Sequence, residues 1–238
     1  MANHFFNSGK VKVNKLSTNL TYRELNPPFA FPTSWKLVKI VTLHEKGSTL
    51  DKKNYRPVAL LSPLGKILEK IIYEQVYGYF TINGIFHDNL HGYRQHRSTQ
   101  TALIQMYERW FQAAIKQKMS GVILLDLSAA IDLVDHDILN SKLSIYGLDS
   151  EWVRSYLHDR KQTVWINHCY AQFLEIDAGV PQGSNLSPLF FLIFYNDLPY
   201  VLRCDVDGFA DDSTLSTTGT SEKTISDSLT IDFREVCS

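Results

Sequence analysis

Three carboxylates carry the chemistry that this sequence most plainly offers: Asp126, which ends the apolar run GVILLD (121–126), and the adjacent pair Asp211 and Asp212 in GFADDS. They lie 85 residues apart (211 minus 126), so only a fold that joins two distant strands would make one site of them. Like charges held that close repel and raise one another's pKa unless a divalent cation joins them. Mg²⁺ accepts such oxygen ligands and takes substrate phosphates as well. Two ions ~4 Å apart can activate a 3′-hydroxyl and stabilise a leaving pyrophosphate. Taken singly, a strand-end Asp is commonly structural and an Asp-Asp pair is commonly a turn, so the bland readings stand beside the catalytic one.

The elements that must position these residues can be read from the pattern around them. GVILLD is a short apolar run of the kind found in buried strands, with Asp126 at its C-terminal end, and VLRCDVDGFADDSTLST reads as strand, tight acidic turn, strand. SWKLVKIVTL (34–43) and YRPVALL predict a β-hairpin across the polar turn from Gly47 to Asn54. After Pro63, the positions Ile67, Leu68, Ile71, Ile72 and Val76 predict an amphipathic helix ending near Gly78, and a second helix covers Thr101 to Gln117. Further helices are predicted from Asp135 to Tyr146, stopped by Gly147, and up to Leu157, capped by Asp149. QTVWINH and AQFLEID form a second hairpin, and SPLFFLIFYNDL (187–198) is apolar nearly all round, as a helix buried beneath a sheet would be. Residues 1–30, with Pro27 and Pro28, read as irregular.

With 238 residues and 44% apolar composition the chain can bury a real core in one large or two small domains. No apolar run has the ~18–20 residues of a membrane span, and MANHFFNSGK is not a signal peptide; the expectation is an intracellular protein of nucleus or cytoplasm, not secreted and without a membrane partner. Cys169, Cys204 and Cys237 are odd in number and lack metal-ligand spacing, so they read as reduced thiols. The net charge of −1 conceals a division: residues 1–120 carry 17 Lys and Arg against 7 Asp and Glu, or +10, and residues 121–238 carry 7 against 18, or −11. A basic half suits phosphates and an acidic half suits metal ions, although uneven surface charge explains the split equally well.

Taken in order, LLDLSAAID (124–132), AGVPQGSNLSP (178–188) and FADD (209–212), preceded by SWKLVKIV, NYRPVALLSPLGKILEK and HGYRQHRST, resemble motifs A, B and C and the fingers motifs of non-LTR (LINE-type) retrotransposon reverse transcriptases. The resemblance runs from about Phe31 to the C-terminus. It implies an α/β (α+β) right-hand polymerase with fingers over residues 31–118 and a partial palm over 119–238, whose antiparallel sheet is packed by helices, the thumb being absent. The implied activity is RNA-directed DNA polymerisation from a primer 3′ end, with RNA template, DNA primer and dNTP as partners, and two Mg²⁺ ions, or Mn²⁺ in their place, on Asp126, Asp211 and Asp212. The resemblance sets no oligomeric state. The alternative is a catalytically silent, truncated remnant that keeps the fold or only binds nucleic acid.

Other roles follow by position. Gln182 and Gly183 would lie against the incoming nucleotide and template, with Gly179, Pro181 and Ser184 holding that loop and Pro181 and Ser184 facing nucleic acid. Arg56 and Lys46 would contact the triphosphate, and Arg94 and Arg97 template or phosphate; a solvated surface charge is the competing reading for each. His136 and Asp132 read as supporting residues, and Trp35, Trp110, Trp152 and Trp165 as core or interface aromatics. The chain departs from the family in four places: Ile131 stands where an aromatic ring usually excludes a ribonucleotide's 2′-hydroxyl, HGYR replaces FGFR, Glu45 stands where Lys is favoured and Thr42 where Pro is.

Overall fold

The computed structural model describes residues 30–44, 46–127, 130–148, 151–166 and 169–237, with the side chains of Lys53 and Arg56 outside the description. The readings of residues 1–29, Glu45 and Asp149 therefore fall outside the described residues.

Two sheets organise the described residues. In the first, β1 (Leu37–His44) pairs antiparallel with β2 (Tyr55–Leu60), Lys39 opposite Leu60 and Leu43 opposite Arg56, which is the expected hairpin. The run begins later than its composition suggests, because Thr33–Trp35 closes a 3-10 turn on the carbonyl of Pro32 and turns Trp35 against Phe31. The other edge of β1 pairs in parallel with β4 (Lys161–Ile166), which in turn pairs antiparallel with β5 (Cys169–Tyr170) and β6 (Leu174–Glu175). Strands β4, β5 and β6 thus join the sheet of β1 and β2, across the boundary drawn at 118–119 from the sequence. The second sheet has the order β3-β8-β7 and is antiparallel throughout, from β3 (Met119–Asp126), β7 (Asp205–Phe209) and β8 (Asp212–Gly219).

The first long helix, α1 (Pro63–Ile82), starts with Ser62 accepting the Gly65 N–H and Pro63 in the first turn, where the missing N–H costs nothing. It passes through Gly78 rather than ending there. A mid-helix glycine costs only ~1 kcal/mol relative to alanine, and the burial of Tyr79 and Phe80 just beyond it offsets that. Its core face is Leu68, Ile72, Val76 and Phe80, while Ile67 and Ile71, expected on the same stripe, are exposed. A capping box between Ser98 and Thr101 opens α2 (Thr99–Ile115).

Asp135 caps α3 (His136–Ile145) by accepting the Ile138 N–H, and α4 (Glu151–Leu157) follows. The apolar run from 187 divides into α5 (Ser187–Tyr195) and a single turn, α6 (Leu198–Val201), with Asn196 and Asp197 drawn inward between them. Asp197 meets the buried Lys142 ammonium at 2.6 Å. Leu139, Leu143, Tyr156, Leu157, Phe190 and Ile193 from α3, α4 and α5 form the main core with α1.

A second cluster joins α7 (Glu222–Cys237) to one face of the β3-β8-β7 sheet through Ile225, Leu229, Val206 and Leu215. This corrects the reading of GVILLD as a buried strand. β3 is an edge strand with Ile123 and Leu125 turned to the core, while Leu124, 79% exposed, shares the open face with Val122 and Asp126. An apolar run alone does not distinguish one buried face from two. Among the described residues no helix is long and apolar enough to cross a membrane, and all three cysteines are free.

Candidate active site

The sheet register closes the 85-residue gap. Asp126, the last residue of β3, lies directly opposite Asp212, the first of β8, and Asp212 also pairs with Phe209 of β7. Residues directly opposite in an antiparallel pair point to the same face, so both carboxylates stand on the open side of the sheet. Asp211 occupies the turn between β7 and β8, where its carbonyl accepts the Leu127 N–H at 3.1 Å and ties the turn to the end of β3. All three aspartates are exposed, and among the described residues none forms an ion pair. They are not a closed ligand cage: among the described residues no three His, Cys, Asp or Glu side chains stand close enough together to hold a metal ion.

The turn rests on the HGYR run. Leu90 bridges to Gly208, the His91 N–H donates to the Gly208 carbonyl at 2.7 Å, and the Gly208 N–H donates to the Asn89 carbonyl at 3.0 Å. The next residue, Gly92, lies against the turn itself: a Cβ there would stand 2.1 Å from the Ala210 nitrogen. Ala210 has φ +57, a left-handed conformation that a residue with a side chain adopts at a cost. From behind, the Tyr195 and Ser213 hydroxyls meet at 2.6 Å, joining α5 to β8 beside Asp212. His91 is buried, its ring between Thr101 Oγ1 (3.0 Å) and Gln105 Oε1 (3.1 Å). Burial, with nearby Arg97, holds it below the ordinary histidine range.

Arg94 and Arg97 lie here, and neither guanidinium stands free. Arg94 donates to the carbonyls of His87 (2.7 Å) and Leu90 (3.2 Å) and lies over the Phe86 ring, so it pins the loop under the turn. Arg97 pairs with Asp88 at 3.0 Å. The strand, acidic turn and strand read from VLRCDVDGFADDSTLST are present, and the two aspartates before the turn are engaged. Asp205 and Asp207 belong to β7, and both pair with Arg109 of α2, Asp205 at 3.2 Å and buried Asp207 in closer contact. Burial raises the Asp207 pKa and Arg109 opposes that rise. Nothing in the local sequence distinguishes these aspartates from the exposed pair.

The loop 178–186 docks on the 3-10 turn Ala130–Leu133 that follows Asp126. The Gly179 N–H donates to the Val134 carbonyl (2.8 Å) and the Val180 N–H to the Ile131 carbonyl (3.1 Å), while His136 Nε2 meets the Gly179 carbonyl at 2.7 Å, a supporting place as expected. Gly179 has φ +82, and a Cβ there would stand 2.5 Å from the Asp132 carbonyl oxygen, so both conformation and space require glycine. Gln182 Nε2 donates to both Asp132 carboxylate oxygens, at 2.9 and 2.8 Å.

Ser184 is not placed to contact nucleic acid. It is buried, and its hydroxyl meets the Tyr156 hydroxyl (2.8 Å) and accepts the Leu186 N–H (3.0 Å). Tyr156 in turn donates to Glu69, which also accepts the Asn185 N–H at 2.9 Å. Pro181 is half-buried, and its carbonyl accepts from Ser187.

Between this loop and the first sheet runs a cleft of about 310 Å³ lined by Val38, Pro57, Ala59, Asp132, Val180 and Gln182. Gly183, φ +93, lies beside the Ala59 carbonyl. Ile131 packs partly against the main core. Lys46 is exposed in the β1–β2 turn, and Arg56 sits in β2 with its side chain outside the description. A larger hollow of about 460 Å³ lies between α2 and β7, lined by Arg109, Lys116 and Lys118 and away from the three aspartates.

Comparison with known proteins adds three findings. The profile of the family described as reverse transcriptase (RNA-dependent DNA polymerase) matches residues 44–235. The chain is 34% identical over 176 residues to the probable RNA-directed DNA polymerase from transposon BS of Drosophila melanogaster, and 30% identical over 172 residues to the RNA-directed DNA polymerase from mobile element jockey of the same species. Each alignment covers 71% of this chain and 19% of the relative, so the chain spans about a fifth of those proteins. In fold it is similar to apo telomerase from Candida tropicalis truncated from the C-terminal domain, with a TM-score of 0.57 at 15% identity over 96% of this chain and 52% of that one.

Proposed function

The chain belongs to the reverse transcriptase (RNA-dependent DNA polymerase) family, and from that premise we propose that it carries the catalytic centre of an RNA-directed DNA polymerase, extending a DNA primer with dNTPs on an RNA template. The observation that carries this reading is the pairing of Asp126 with Asp212 on the open face of the sheet, with Asp211 tied to the same edge. Exposed oxygen donors without cationic partners among the described residues are the donor set that Mg²⁺ or Mn²⁺ takes. The three side chains do not close a cage by themselves, so Asp126, Asp211 and Asp212 would each give a carboxylate oxygen to such ions while substrate phosphates and water fill the remaining positions, and the ions would supply a Lewis acid to the primer hydroxyl and the leaving pyrophosphate.

The protein's own part is placement. The turn carrying Asp211 is held from below by Asn89, His91 and Gly92, which limits drift of the acidic edge. Gln182 and Gly183 would meet the incoming nucleotide at the rim of the cleft, and Lys46 and Arg56, at the β1–β2 end, would meet its phosphates. Primer extension on poly(rA)/oligo(dT) with Mg²⁺ tests the reading. Incorporation of dTTP is expected to fall by about a thousandfold or more in Asp211→Asn. Equal incorporation by that variant, or none by the folded wild type, would overturn it.

A further inference from the structure

We propose that Asp132 is a positioning residue that fixes the rotation of the Gln182 carboxamide, so that the cleft meets its carbonyl oxygen rather than its amino group. This rests on the polymerase reading. A carboxylate only accepts hydrogen bonds, so the group that Gln182 turns to Asp132 must be its NH₂, and both Asp132 oxygens receive Nε2, at 2.9 and 2.8 Å. Oε1 is left without a hydrogen bond among the described residues, and both side chains line the same cleft.

The pairing has a firm base. The backbone bonds from Gly179 to Val134 and from Val180 to Ile131, with the close seat of Gly179 on the Asp132 backbone, hold the two segments in one register. The ligand selected by such an acceptor is a nucleotide that presents a hydroxyl or amino donor at that point. Without the carboxylate the amide can turn over and present a donor of the opposite polarity, and such an inverted group in a polar recognition site costs binding.

The test is a donor–acceptor reversal. Gln182→Glu sets two carboxylates against each other; adding Asp132→Asn lets the introduced asparagine donate to the introduced glutamate and again leaves an acceptor for the cleft. In single-nucleotide incorporation on poly(rA)/oligo(dT), Asp132→Asn is expected to raise the KM for dTTP about tenfold with kcat within about twofold. Gln182→Glu is expected to lose more, and the double variant to recover to within about threefold of wild type. A wild-type KM in Asp132→Asn, or a double variant no better than Gln182→Glu, would overturn the proposal.

An activity-independent readout separates this from failure of the polymerase reading. By NMR, the Gln182 side-chain NH₂ should exchange with water more slowly than that of exposed Gln100, and lose this protection in Asp132→Asn with the melting temperature unchanged. Unprotected Gln182 in the wild type overturns the clamp whatever the enzyme does. A folded wild type that incorporates nothing overturns its use in nucleotide selection.

Discussion

Gly92→Ala tests most directly how the acidic turn is held. The added Cβ would stand 2.1 Å from the Ala210 nitrogen and 2.9 Å from its Cα, both backbone atoms, whereas real Cβ contacts essentially never fall below 3.0 Å. The turn or the HGYR run must therefore move by at least ~0.9 Å, in a place already tied by the His91-to-Gly208 and Gly208-to-Asn89 bonds. Overpacking of this kind costs about 1–3 kcal/mol, which in a chain of this length lowers the melting temperature by roughly 2–12 °C. A displacement near 1 Å at a catalytic group costs about a hundredfold in rate. Thermal unfolding by circular dichroism and single-nucleotide incorporation at a temperature where the variant is folded measure the two separately. Gly78→Ala is the control: nothing lies within 4 Å of its Cβ position in α1, so it should stabilise by about 0.5–1 kcal/mol and leave incorporation alone. A Gly92→Ala protein with wild-type melting and a rate within about twofold of wild type would refute the reasoning.

Four further outcomes follow from the same contacts. Arg109→Met leaves buried Asp207 without its cation and should cost about 3–5 kcal/mol at neutral pH. Because burial already raises the Asp207 pKa, the folded state binds its proton above the unfolded value, so stability should recover as pH falls from neutral towards 4; denaturant midpoints that do not depend on pH in that range would contradict this. Tyr156→Phe removes the hydroxyl shared by Glu69 and Ser184 and should cost about 1–3 kcal/mol, seen as a lowered urea midpoint; an unchanged midpoint would show that the network is not stabilising. Arg94→Ala should lower the melting temperature while primer–template affinity, measured by fluorescence anisotropy below that temperature, stays within about twofold, and a selective loss of affinity would support the template-contact reading. Ile131→Phe should raise the preference for dNTP over rNTP on the order of tenfold, and unchanged selectivity would sink the view that this side chain faces the sugar.

The helices were legible because their signals are local. The apolar spacing of α1 and the Asp135-to-Gly147 bounds of α3 lie within a few turns of chain, though the spacing does not show which flank of the α1 stripe is buried; the caps Ser62 and Ser98 are equally local, but the helices read from the sequence start at Pro63 and Thr101 without them. Ile67 and Ile71 belong to the periodic pattern and are nonetheless exposed, because the side the helix buries depends on what packs against it. The parallel pairing of β1 with β4 joins segments more than a hundred residues apart and has no local signature. The same holds for Arg94 and Ser184. A guanidinium or hydroxyl names itself in the sequence, but its acceptors are often backbone carbonyls or distant side chains that any residue type could supply.

By itself the sequence determined the family, the two strands that carry Asp126 and the Asp211–Asp212 pair, and the glycines of the loop after residue 178, because motif order and local backbone demands are written in neighbouring residues. Only the tertiary structure decided that Asp126 faces Asp212, that Gly92 underlies the turn and that Asp132 grips Gln182. Those are relations between backbones brought together across 50 to 118 positions (182 minus 132, and 210 minus 92), set by sheet register and core packing, which no local pattern encodes.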